Sequence, residues 1–85
     1  MSNYVYGVAE GCKASIDNRR IEAIEETKKE CTEEVMQKYP DYLGSEIATI
    51  NYLYGCAMKR IDEIVLDYEN DWITEHDAIM NILHV

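Results

Sequence analysis

The longest regular signal in the chain is an apolar stripe between residues 47 and 72. Ile47, Ile50, Leu53, Tyr54, Ala57, Met58, Ile61, Ile64, Val65, Tyr68 and Trp72 recur three or four residues apart. At 100° per residue they fall within about 140° of arc, the pattern of one amphipathic helix rather than of alternating strand faces. Ser45 is its expected N-cap. A helix over 46–71 would be about 39 Å long, whereas a compact chain of this length has a diameter near 30 Å. The stripe therefore overhangs a compact core and needs cover along its whole length. Gly55 lies just outside the stripe, where a glycine permits close approach of another backbone or a kink.

The cover comes first from an upstream helix over 16–38, capped by Ser15 or Asp17. Its stripe is Ile24, Thr27, Cys31, Val35 and Tyr39, flanked by Ile16 and Ile21. Pro40 disfavours helical geometry at Tyr39 and ends the element. A third, short helix is predicted over 75–83, with Thr74 as N-cap, Asp77 at the third position, and Ile73 and Ala78 placed for a hydrophobic staple. Residues 3–9, Asn-Tyr-Val-Tyr-Gly-Val-Ala, favour a β-strand by propensity, so residues 1–12 read as an N-terminal strand or arm. The expectation is one mainly α domain over residues 1–85: an antiparallel helical hairpin, a short C-terminal helix and a short N-terminal strand. Two such hairpins would bury both stripes as a four-helix homodimer. The competing arrangement is a monomeric three-helix bundle with the long helix kinked near Gly55.

Charge narrows the classes of partner. The net charge is −9, and residues 61–85 hold Asp62, Glu63, Asp67, Glu69, Asp71, Glu75 and Asp77 with no Lys or Arg. Direct binding to a phosphate backbone is disfavoured, since Arg19, Arg20, Lys28 and Lys29 form only a small basic cluster among glutamates. A larger protein with a basic surface would be attracted instead. The plain alternative is that the acidity serves solubility. Seven tyrosines, one tryptophan and no phenylalanine suit surfaces dry on one side and wet on the other. Tyr4, Tyr6, Tyr42 and Tyr52 lie off the helical stripes and are the candidate interface aromatics, against the plain reading that they pack on their own fold.

No catalytic residue, cofactor or metal site is expected. Asp67-x-Glu69-x-Asp71 opens like a calcium loop, but its sixth position is Trp72 and its twelfth is Ala78, where glycine and glutamate are required. Cys12, Cys31 and Cys56, with His76 and His84, show no zinc spacing. The odd, scattered cysteines fit a reducing cytoplasm, and neither a signal peptide nor a membrane span is expected. A redox or metal responder using Cys12 and Cys56 is a weaker alternative. The sequence thus points to a non-enzymatic, acidic, cytoplasmic protein-binding module that docks as inhibitor or adaptor on a basic surface of a larger protein, such as a nucleic-acid-handling one. Phage-encoded inhibitors of host or defence enzymes are one class of that kind, although no motif of a particular family is present. The other expectation is a homodimeric structural or regulatory module, to be broken by Ile50→Asp or Ile61→Asp.

Overall fold

The computed structural model describes residues 4–85. They form four α-helices and no strand: α1 (Tyr4–Glu30), α2 (Glu33–Lys38), α3 (Tyr42–Glu69) and α4 (Glu75–Leu83). The fold is mainly α.

Residues 4–12 belong to α1, which corrects the strand expected over 3–9; Asn3 lies outside the described residues. The local strand preference of Tyr and Val yields to burial. Val5 and Ala9, four residues apart, are buried in the core, with Val8, Cys12 and Ile16 packed against it. A lone strand could have paired with nothing here, whereas a helix satisfies its own backbone and turns these side chains to one face. Ser15 and Asp17 are therefore mid-helix rather than caps. α1 stops at Glu30, earlier than the expected helix, because Thr32 turns to cap α2. The Thr32 side chain accepts from Val35 N–H at 3.4 Å, and Glu33 and Glu34 occupy the positive end of that short helix.

α3 starts at Tyr42, so Ser45 lies within it and Asp41 stands at the N-cap without a side-chain bond. It runs unbroken through Gly55, and a Cβ built there meets nothing within 4 Å. Gly55 thus marks neither a break nor a close approach inside the chain. The helix ends at Asn70 in a Schellman turn: Trp72 N–H donates to Asp67 O at 2.9 Å and Asp71 N–H to Tyr68 O at 3.1 Å. Asp71 takes the left-handed position, φ 58°, that glycine usually fills. After the turn, Thr74 caps α4 by accepting from Asp77 N–H at 3.1 Å.

α1 and α3 lie side by side with opposed directions. As α1 advances from Tyr6 through Lys13 to Arg20, its partners on α3 retreat from Glu69 through Asp62 to Asn51. The α3 seam is Ile47, Ile50, Tyr54, Ala57, Ile61, Ile64 and Tyr68, all buried or half-buried. Its alternating steps of three and four are the spacing of a coiled-coil stripe. α4 packs across both long helices at the end where α1 begins and α3 finishes.

That end, the head, holds the buried apolar core: Val5 and Ala9 of α1, Ile61 and Ile64 of α3, Ala78 and Ile82 of α4. The rest of the α1/α3 pair, the stalk, has two helices along most of its length, with the short α2 touching α3 at the far tip. Its one buried polar residue, Thr27, donates its hydroxyl to Ala23 O at 2.9 Å. The molecule is 56 × 17 × 14 Å with a radius of gyration of 17.1 Å, against about 12 Å for a compact chain of this length.

Candidate protein-docking surfaces

Two surfaces stand out, one at each level of this architecture. The first is a groove along the stalk, an open trough of about 290 Å³. α1 lines it with Ile16, Arg19, Arg20 and Ala23, and α3 with Ile50, Leu53, Tyr54 and Ala57. Val85, just past the end of α4, closes its near end. The trough is thus the continuation of the channel that α4 fills in the head. Arg20 ties its walls together. Its guanidinium donates to Asp17 Oδ1 at 3.0 and 2.7 Å and to Asn51 Oδ1 at 3.3 Å, and it stacks over the Tyr54 ring at 4.7 Å.

Leu53 stands beside the trough 61% exposed. The stripe placed it in the core, and the reason it is not there is positional. It lies on the edge of the seam, and burial at an edge position requires a third helix, which α4 supplies only in the head. Within α3, the rest of the expected core stripe is covered as its position dictates. Ile61 and Ile64 are fully buried; Ile47, Ile50, Tyr54 and Tyr68 are half-buried. Since Ile61 is enclosed by its own chain, it is a head core residue and Ile61→Asp cannot report on a dimer contact.

The second surface is the acidic head. The seven carboxylates expected to form one patch collect at this end but not on one face. On α3, Asp62 and Glu69 point toward α1, while Glu63 and Asp67 fall roughly 100° or more away around the axis. Asp62 pairs with Lys13 at 2.6 Å, and Glu69 accepts from the Tyr6 hydroxyl at 3.1 Å. These two carboxylates clamp α1 to α3. The bond to Asp62 raises the Lys13 ammonium above its ordinary value, and the bond to Glu69 does the same for the Tyr6 hydroxyl. Glu63 sits 3.9 Å from Arg60, a weak surface pair. Asp71 and Asp77 are exposed around the turn into α4, and Asp67 and Glu75 are half-exposed.

Trp72, expected in the core stripe, is 73% exposed in that turn. Helical periodicity cannot be extended to it, because the chain has left α3 at Asn70 and reversed through Asp71. The candidate interface aromatics do not converge. Tyr6 belongs to the head, edge-on to Tyr68 at 6.4 Å, and Tyr4 is one turn-fraction away on the same helix. Tyr42 is half-buried at the far tip, where desolvation raises its hydroxyl pKa. Tyr52 is exposed in mid-stalk. Over a helix of this length the ends of α3 are about 40 Å apart, so no one contact surface includes all four.

Cys12 and Cys31 are half-buried and Cys56 is exposed; all three are free thiols. Among the described residues, no group of three or more His, Cys, Asp or Glu side chains is arranged to hold a metal ion, and no helix is long and apolar enough to cross a membrane. The chain matches no protein-family model, no curated protein and no solved structure.

Proposed function

We propose that this chain is a small acidic protein-binding module, an inhibitor or adaptor that docks its head on a basic surface of a larger protein. The observation that carries this reading is Trp72. A large aromatic side chain left 73% exposed has no part in the chain's own core, yet it sits between Asp71 and Glu75, with Asp67 and Asp77 close in sequence. An exposed aromatic anchor with a charged rim is the composition of a binding hot spot. The carboxylates would draw a basic partner in, and Trp72 would supply the apolar contact. Asp62 and Glu69 pair with Lys13 and Tyr6, so a partner would compete with those surface contacts for them.

The test is capture of partners from nuclease-treated lysate at low and high salt. One dominant partner is expected, lost at high salt, because the attraction is between charges near the surface. Joint substitution Asp67→Asn, Asp71→Asn and Asp77→Asn should weaken its binding by about tenfold or more. An affinity unchanged by the triple substitution would show that the acidic turn is not the determinant.

A second reading, a homodimeric structural module, is favoured by the apolar groove on the stalk. A two-helix antiparallel pair of this length leaves its seam open on one side, and a second pair is the simplest cover.

A further inference from the structure

The trough between α1 and α3 is filled by α4 only as far as Val85, and then runs on uncovered past Ala57 and Ile16 toward Ile50 and Ala23. We propose that the occupant of this groove is a second copy of the chain, stacked antiparallel, so that the two stalks form a four-helix bundle with a three-helix head at either end. Self-association through the groove builds on the second reading above and is independent of the acidic turn.

Area is the first argument. A monomeric protein of this mass exposes about 5,200 Å², whereas this chain exposes 6,184 Å². The excess of about 1,000 Å² comes with the elongated 56 × 17 × 14 Å shape, and it is of the order of the ~800 Å² that each partner buries in a stable interface.

Shape is the second. A two-fold interface must be self-complementary, carrying both knob and hole on one face. Here Leu53 projects beside the trough, and Ala23 and Ala57 line it with small side chains. With the antiparallel two-fold axis crossing α3 at Leu53, the two Leu53 side chains meet each other on the axis, and the small alanines beside them leave room for the contact. The orientation follows from α4, which rises on the same face. A parallel stack would drive the two α4 helices together and hold the stalks apart. An antiparallel stack sends the heads to opposite ends.

Charge fixes the register. Glu46, Leu53 and Arg60 are spaced by seven residues and share one edge of α3. With the two-fold axis at Leu53, antiparallel α3 helices set Glu46 of each copy opposite Arg60 of the other. Among the described residues Glu46 makes no ion pair, and Arg60 has only the 3.9 Å contact with Glu63.

The experiment is sedimentation equilibrium of the purified full chain, with helix content followed by circular dichroism. The wild type is expected at twice the chain mass, and Leu53→Glu at the chain mass with unchanged helicity, since an ionised carboxylate in an apolar interface weakens association by about 100-fold or more. Arg60→Glu alone should weaken the dimer, and Glu46→Arg added to it should restore it. Three results would overturn the proposal: a wild-type monomer at about 100 µM, a dimer indifferent to Leu53→Glu, or a double charge exchange that fails to rescue the single one. None of them bears on the acidic docking reading, which depends on capture of a different protein.

Discussion

Ile61→Ala is expected to destabilise the protein by about 3 kcal/mol, within the 2–5 kcal/mol range for truncating a fully buried isoleucine. Ile61 is 0% exposed and lies among Val5, Ala9, Ile64, Ala78 and Ile82. These six residues hold three helices together, and no comparable buried cluster exists in the stalk to share the loss. A chain of 85 residues has only about 4–13 kcal/mol of stability to lose. The substitution should lower the melting temperature by about 15 °C. Urea unfolding followed by circular dichroism measures it. A loss below about 1 kcal/mol would show that the head is not where this protein is held together.

The second large effect comes from adding volume rather than removing it. Ala78 is fully buried where α4 crosses the long helices, and Ala9 faces the same core from α1. Small residues there let the helices approach closely. Ala78→Leu should push α4 off its seat and cost about 1–3 kcal/mol. Leucine is nearly as good a helix former as alanine, so helix propensity cannot account for a loss of that size. Met80→Leu, at an exposed position of the same helix, is the control and should change stability by less than about 0.5 kcal/mol. Thermal unfolding of both variants decides the matter, and an Ala78→Leu protein as stable as the wild type would mean that α4 packs loosely.

The parts of this fold that were legible in the sequence are those written locally. Thr74 and Asp77 mark the start of α4 because a cap needs only its own first turn. Pro40 marks the gap before α3, and the steps of three and four from Ile47 to Tyr68 describe its seam. What was not legible depends on distant partners. Tyr4, Val5 and Tyr6 look like strand until Ile61 and Ala78 are there to bury Val5. The spacing of Val5, Ala9, Cys12 and Ile16 held the helical signal, but strand propensity outweighed it. The break at Thr32 carries neither glycine nor proline. Leu53 and Ile64 look alike in the stripe, and only the length of α4 decides that one is exposed and the other enclosed.

The acidic segment shows the same limit. Its charge was plain from composition, but the division of labour within it was not. Asp62 and Glu69 are bound to Lys13 and Tyr6 on α1, a helix whose first residues carry strand propensity. Asp71 adjoins Trp72 in a turn whose left-handed residue is that aspartate rather than the usual glycine. The carboxylates that bridge to α1 are told apart from the others only by their partners across the helix pair.

The head is closed by its own chain, whereas the stalk seam is proposed to be closed by a second copy. Amide hydrogen exchange, resolved by residue and repeated at two protein concentrations either side of the dimer dissociation constant, tests it most directly. Protection around Ile61, Ile64 and Ile82 should be high and the same at both concentrations, while protection around Ala23 and Leu53 should rise with concentration. Stalk protection as strong as that of the head at both concentrations, with no dependence on dilution, would contradict the account.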